Sequence, residues 1–301
     1  MKDARAEVVP ASLTAIRRQS NLRDYIALTK PRLNFLVVVT SAAGYYLGSE
    51  SPISLWLMMQ AVAGTALVAG GAAVLNQVYE RDTDAMMPRT LARPLPDHRV
   101  TPGDATVFGL ALSIAGIVLL ALGANLLAAL LALATLVIYL LIYTPMKRRS
   151  PAATLVGAVP GALPPLIGWA AAHGTVTVGG WILFAIVFSW QIPHFMAIAW
   201  MYRDDYRRAG FPMLPVIEPN GRRAGRQGVI FAAALLPISL APTFVGLSGW
   251  IYFAMALALS AALLVLSIRF AATRSDVSAR QLFFGSITYL PLIWAIMILN
   301  H

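Results

Sequence analysis

The feature that most constrains this chain is a series of apolar runs of bilayer length. A hydrocarbon core about 30 Å thick takes roughly 20 mostly apolar residues per helix. Nine such runs occur, at about 33–49, 54–79, 105–123, 125–144, 152–172, 178–200, 227–247, 250–270 and 282–300. Only 12% of the 301 residues are charged, about half the share in an ordinary soluble domain, so these helices cannot all be clothed for water. The expected fold is all-α: a polytopic bundle of nine transmembrane helices over residues 33–301, preceded by an N-terminal segment, 1–32. Glycines and prolines inside the runs read as kinks and close contacts, which membrane helices tolerate because neighbours satisfy the freed backbone groups.

Lysine and arginine are retained on the cytoplasmic side of a membrane. Seven precede the first run (Lys2, Arg5, Arg17, Arg18, Arg23, Lys30, Arg32) and four follow the second (Arg81, Arg89, Arg93, Arg99). Three follow the fourth (Lys147, Arg148, Arg149), six the sixth (Arg203, Arg207, Arg208, Arg222, Arg223, Arg226), and three bracket the loop after the eighth (Arg269, Arg274, Arg280). These groups take in all 23 basic residues, so a nine-span reading with a cytoplasmic N-terminus has no exceptions. The same dispersal accounts for the net charge of +10 without nucleic acid, for which the chain has no motif. Cysteine is absent, which excludes disulfides, thiolate catalysis and zinc–cysteine sites. Residues 1–32 lack an apolar signal-peptide core, and Asp3, Glu7 and Asp24 are acids that a transit peptide avoids. A bacterial inner membrane is the expected location.

The two faces are unequal. The inner side has two loops of more than 20 residues, about 80–104 and 201–226, while the outer connections carry little beyond Glu50 and His173. Loops that long in a compact chain are usually functional or disordered, and these mix proline, aromatic and charged residues without low complexity. Chemistry is expected on the cytoplasmic face. Acidic-basic loops after runs two and six, and basic ones after four and eight, also suggest that runs one to four and five to eight are similar modules.

In "NQVYERDTD" (76–84), Asn76, Glu80 and Asp84 are spaced i, i+4, i+8, which puts them on one face if the second helix continues that far. Asp82 falls off that face. Carboxylates this close repel one another and are costly near a membrane unless neutralised. Mg²⁺ binds through one or two carboxylates together with substrate phosphates, and Arg89 and Arg93 follow with forks suited to phosphate oxygens. The alternative is a hydrated loop whose acids and arginines pair with each other.

The sixth run ends "WQIPHFMAIAWMYRDDYRRAGFPMLP", bringing Asp204 and Asp205 to the same edge beside Arg203. These acids either bind metal or belong to an interfacial girdle of Trp200, Tyr202 and Tyr206 with snorkelling arginines. His194, ten residues before Asp204, lies inside the apolar run, where an ionisable group is a functional candidate. It is a structural histidine, a proton carrier or a haem ligand. "YTPMKRRS" (143–150) puts Lys147 and Arg148 where they reach a diphosphate or simply anchor the helix.

These three stretches, with "LTKPRLNFL" at 28–36, resemble the intramembrane aromatic prenyltransferases and, within them, the protohaem IX farnesyltransferases, over nearly the whole chain. The first acidic pattern is general to prenyl transfer; the histidine-bearing end of run six points to the haem branch. The resemblance implies a nine-helix bundle around a central cavity, open toward the membrane, in which Mg²⁺, bound by both acidic motifs, holds farnesyl diphosphate, with haem b as acceptor and haem O as product. It implies metal ligation by Asn76, Glu80, Asp84, the extra acid Asp82, and Asp204 and Asp205, and diphosphate contacts from Arg89, Arg93, Lys147, Arg148 and Arg203. It gives His194 a haem-side role and suggests haem A synthase or a terminal oxidase as physical partners. The second motif departs from the pattern, because family members often have two aspartates four apart, whereas Met201 precedes Asp205 and Trp200 precedes Asp204 at that distance. Another acceptor, a quinone precursor or chlorin, or a transporter, remains the alternative.

Overall fold

The computed structural model describes residues 20–50 and 52–301. Most of segment 1–32 therefore lies outside the described residues, including Lys2, Arg5, Arg17 and Arg18 of the basic tally and the acids Asp3 and Glu7. The described residues are mostly helical. A short α1 (Leu22–Leu28) leads into α2 (Pro31–Gly48), α3 (Leu55–Asp84), α4 (Pro102–Gly123) and α5 (Leu126–Val137). The chain continues through a π-helical turn (Ile138–Tyr143) into α6 (Thr144–Met146), then α7 (Ala153–His173) and α8 (Val178–Met201). Two short helices, α9 (Arg203–Arg208) and α10 (Leu214–Ile217), precede α11 (Arg222–Phe244), α12 (Trp250–Thr273) and α13 (Asp276–Leu299).

Among the described residues eight helices are long and apolar enough to cross a membrane: α3, α4, α5 with its continuation to Met146, α7, α8, α11, α12 and α13. α2, expected as the first span, is shorter, at 18 residues, and starts with Arg32 and Asn34. Large apolar side chains such as Val107, Leu122, Leu141 and Trp250 lie on the outside, where lipid rather than water is their natural solvent. α3 is the exception in length. Its 30 residues make a rod of about 45 Å, against an oil layer of about 30 Å, so the turns carrying Asn76 to Asp84 reach the polar edge without leaving the helix. Ser54 caps its start by accepting from Leu57 N–H.

Without a hydrophobic drive between helices in lipid, close approach relies on small residues. Gly64 and Gly71 of α3 lie against Gly116 and Gly109 of α4; a Cβ on Gly71 would stand 2.2 Å from Ser113 Oγ. α2 and α7 touch backbone to backbone in the same way. A Cβ on Gly168 would meet the Ser41 carbonyl at 2.0 Å, and one on Gly44 the Pro165 carbonyl at 2.0 Å. Prolines 160, 164 and 165 sit inside α7. The order of packing α2–α3–α4–α5 recurs as α7–α8–α11–α12, with α2 against α7, which agrees with two similar modules.

Candidate functional site

The charged end of α3 carries the first motif as its spacing requires. Asn76, Glu80 and Asp84 are 2%, 6% and 1% exposed, so all three turn inward. Asp82 is on the outer side, paired with Arg81 at 3.3 Å, its side chain 88% exposed.

Each buried acid has a cation. Lys147 Nζ lies 2.8 and 3.0 Å from the two Glu80 oxygens and sits over the rings of Tyr143 and Phe211. Arg93 Nη1 lies 2.6 Å from Asp84 Oδ2. Burial alone would lower the Lys147 pKa; the Tyr143 hydroxyl and the Glu80 carboxylate outweigh it and hold this ammonium above the usual lysine range.

The orientation of Asn76 follows from its partners. The π-helical turn presents the Tyr139 carbonyl to both the backbone N–H and the hydroxyl of Thr144. With its hydrogen committed there, Thr144 Oγ1 accepts from Asn76 Nδ2 at 3.2 Å. The Asn76 carbonyl oxygen is thereby left as an acceptor toward the site, an assignment fixed by the network rather than by the atoms themselves. π-Turns recur at functional sites, and this one both orients Asn76 and ends one residue before α6, which leads to Lys147.

In the sequence Lys30 reads only as one of the topological basic residues. It caps α2 in a left-handed conformation, φ 51°, before Pro31, a residue that disfavours helical conformations at the position preceding it. Such strain persists where the surroundings over-determine it. Gln77, fully buried, donates to the Leu28 carbonyl at 2.6 Å and so ties the turn before Lys30 to α3; Asn34 donates to the Thr29 carbonyl at 2.6 Å from the other side. Burial, followed by repulsion from Arg93 and Lys147, lowers the Lys30 ammonium from 10.5 to about 8. The sequence signal was available as "TKPR": a lysine before a helix-starting proline, at the same edge as the acids.

Lys30 and Asn34 stand at the mouth of an apolar cavity enclosed by α2, α3, α5 with the π-turn, and α7. Val37, Ala69, Ala72 and Pro164 are among its walls, with Thr65 and Ile167 deepest. A polar head and an apolar shaft are thus continuous.

The second motif is at the same end but is organised differently. Arg89 lies over the rings of Tyr202 and Tyr206, 5.2 and 5.1 Å from their centroids, and Met87 packs with Tyr206 and Phe211, so the two long loops meet. Asp204 pairs with Arg207 at 2.6 Å and is 68% exposed, whereas Asp205 pairs with Arg208 and is 17% exposed. Arg203 is drawn elsewhere: it donates to the Trp200 carbonyl and to Asp276 at the start of α13, which also accepts from Trp200 Nε1 at 2.9 Å. Asp276 was not singled out in the sequence, because it begins the last run far from both motifs. Arg148 is exposed. Among the described residues no three carboxylate or imidazole groups gather at metal-binding range. The first motif taken alone still has a hard-oxygen donor set, Asn76 Oδ1 and two buried carboxylates, of the kind that suits Mg²⁺.

His194 faces α13. Its ring is sandwiched between Trp190 and Phe283, at interplanar angles of 17° and 19°. Ser286 Oγ donates to the Phe283 carbonyl at 2.7 Å and therefore accepts from His194 Nδ1–H at 2.8 Å. That leaves Nε2 with a free lone pair, the tautomer of a metal-ligating histidine.

Residues 37–295 match the UbiA prenyltransferase family. The chain belongs to that family. It is 49% identical, over 289 residues, to a protoheme IX farnesyltransferase of Solibacter usitatus, covering 93% of this chain and 99% of that one. It is 47% identical over 282 residues to the protein of the same name from Opitutus terrae, covering 92% and 94%. Among solved structures, the fold resembles one described as a digeranylgeranylglyceryl phosphate synthase in membranes, with TM-score 0.79 and 16% identity over 93% of this chain and 98% of that one. It also resembles a UbiA homologue from Archaeoglobus fulgidus bound to GPP and Mg²⁺, with TM-score 0.61 and 15% identity over 91% and 99%. At those identities the structural likeness speaks for the membrane-bundle fold.

Proposed function

We propose that this multi-pass membrane protein transfers the farnesyl group of farnesyl diphosphate to a vinyl group of haem b, with addition of water, to give haem O and diphosphate. The observation that carries prenyl transfer is the junction of the acid-cation cluster at Asn76, Glu80, Asp84, Lys30, Arg93 and Lys147 with an apolar shaft. Diphosphate head and prenyl tail have the same polarity in the same order. The acceptor rests on the near-full-length identity to protoheme IX farnesyltransferases and on the His194 tautomer.

Lys147, Arg93 and Lys30 bind and orient the diphosphate, with Arg89 at the rim. Asn76, Glu80 and Asp84 would hold Mg²⁺, with Asp205, the more buried of its pair, reaching from the second loop. Bound there, the metal neutralises charge growing on the departing diphosphate. As the bond from farnesyl C1 to oxygen breaks, its electron pair leaves with the diphosphate, and the apolar walls keep water from the allylic cation. The vinyl π-electrons form the new carbon–carbon bond; water then adds its oxygen to the resulting porphyrin-conjugated cation and releases a proton. His194 Nε2 would hold the haem iron, with Ser286 fixing its tautomer. Asp82, Asp204, Arg148 and Arg203 have outer roles: the first three are exposed, and Arg203 ties α9 to Asp276. The bacterial inner membrane, with this end in the cytoplasm, is the location that the basic residues support. Haem A synthase or a terminal oxidase would be the partner receiving the product.

The decisive assay is to incubate the purified protein with haem b, farnesyl diphosphate and Mg²⁺ and to look for haem O by mass. Absence of haem O, with farnesyl transfer seen when a quinone precursor or chlorin is supplied in place of haem b, would replace the acceptor.

A further inference from the structure

The apolar cavity below the diphosphate site has a floor, and its depth can be counted. At its far end Ser41 and Thr65 hydroxyls meet at 3.4 Å, joining α2 to α3, while the Gly168–Ser41 and Gly44–Pro165 backbone approaches close α2 onto α7. Beyond that seal is solid core: Tyr45, Ala61, Leu120, Leu163 and Leu166, none more than 6% exposed. Only small side chains line the α3 wall above Thr65 (Ala69, Ala72, Ala73) with Val68 beside them.

Asn76 to Thr65 is eleven residues of one helix, about 16 Å at 1.5 Å per residue. An extended backbone advances about 3.3–3.6 Å per three chain bonds. An isoprene unit, with four chain bonds, therefore advances about 4.6 Å, so three units span about 14 Å and four about 18 Å by the same measure. By this measure the shaft is deep enough for three units and too shallow for a fourth.

We propose that the Ser41–Thr65–Gly168 seal is a length gauge that selects a three-isoprene donor, with Ala69 as the position that sets the working depth. The gauge rests on the prenyl-transfer reading given above. Ala69 lies one turn nearer the mouth than Thr65, on the same face. A large side chain there leaves seven residues to Asn76, about 10 Å, enough for two units only.

The test is binding of unreactive geranyl, farnesyl and geranylgeranyl thiodiphosphates, with Mg²⁺, to purified wild-type protein and to the Ala69→Phe and Ala69→Leu variants. Wild type is expected to bind the farnesyl compound at least about tenfold more tightly than the geranylgeranyl one, because four units must buckle or displace the seal. Ala69→Phe should invert the order of farnesyl and geranyl, and Ala69→Leu, the gentler change, should weaken farnesyl selectively. Equal wild-type affinity for farnesyl and geranylgeranyl, as would follow if the tail left sideways into lipid, overturns the gauge. So does an equal loss of geranyl and farnesyl binding in a folded Ala69→Leu protein. Because the readout needs no acceptor, a protein that grades the donors as expected but makes no haem O keeps the gauge and loses the haem assignment. One that makes haem O yet binds all three lengths alike does the reverse.

Discussion

Replacing Lys147 with methionine removes the cation from Glu80 while keeping an unbranched side chain against Tyr143 and Phe211. At 2.8 Å and an effective dielectric of about 20, the Coulomb attraction of the pair is about 6 kcal/mol. Desolvation of two ions offsets much of that, so the intact pair contributes little net stability; removing one partner, however, strands the other and costs about 3–5 kcal/mol. Side-chain exposures of 16% for Lys147 and 7% for Glu80 leave little room for water to screen the stranded carboxylate. At about 2–4 °C per kcal/mol, thermal unfolding in detergent without divalent metal should fall by roughly 6–20 °C. Two further measurements identify the cause. The double variant Glu80→Gln/Lys147→Met has no stranded charge and should recover most of the loss. Mg²⁺ at about a hundred times its dissociation constant should return about 2.7 kcal/mol to the single variant, more than to wild type, in which Lys147 competes for the same oxygens. A single variant melting within a degree or two of wild type, or a double variant no better than the single, would refute the buried-pair reasoning. Insensitivity to Mg²⁺ would remove Glu80 from the metal site.

Burial, with repulsion from Arg93 and Lys147, lowers the Lys30 ammonium to about 8, and a bound diphosphate would raise that value. Affinity for inorganic diphosphate should therefore be full below pH 8 and fall as pH rises through it, and Lys30→Met should flatten that slope while weakening binding overall; an unchanged slope would exclude Lys30 from the contact. His194→Ala should change the spectrum and affinity of bound haem while sparing farnesyl thiodiphosphate binding, and Ser286→Ala should do so more weakly; the reverse pattern would take His194 off the haem side. Asp205→Asn should raise the Mg²⁺ requirement of haem O formation about tenfold or more, with Asp204→Asn nearly silent, since 17% and 68% exposure separate them; equal effects would count against that distinction. Gly71→Ala, whose methyl would stand 2.2 Å from Ser113 Oγ, should cost about 1–3 kcal/mol by overpacking, read as a lower melting temperature; Ser113→Gly should restore part of it.

Periodicity was informative where one helix carries the chemistry. The i, i+4, i+8 spacing placed Asn76, Glu80 and Asp84 on one buried face and Asp82 off it, and hydropathy located the long helices to within a few residues. What stayed hidden depends on contacts between distant segments. Nothing local in "YTPMKRRS" distinguishes Lys147, which reaches Glu80 across 67 positions, from its exposed neighbour Arg148. Arg203 sits beside the acids in sequence, yet Asp276, 73 positions away, holds it. Gln77 reads as a stray polar residue until its partner, the Leu28 carbonyl, is known. The depth of the shaft was equally out of reach, since it depends on where α2 and α7 close.

The charges at the mouth of that shaft explain why so many ionisable groups can share an apolar end. The charges that act on Lys30 are those of Arg93, Lys147, Glu80 and Asp84, so with Lys30 itself three cations and two anions leave one positive charge in excess. Excess of that sign is costly where water is scarce, and its repulsion adds to the burial that lowers the Lys30 pKa. A magnesium-bound prenyl diphosphate carries about one net negative charge and would cancel the excess almost completely. By this count the ligand that balances the charge is a metal–diphosphate ester; a bare diphosphate would overshoot, and a free Mg²⁺ would add to the excess. Metal and donor should bind with positive cooperativity. By linkage each must raise the other's affinity by the same factor, and titrating Mg²⁺ with and without farnesyl thiodiphosphate measures it. In Lys30→Met the excess charge is gone, so free Mg²⁺ should bind better than to wild type and the cooperativity should shrink; if Mg²⁺ instead binds more weakly to that variant, the electrostatic account of the site is wrong.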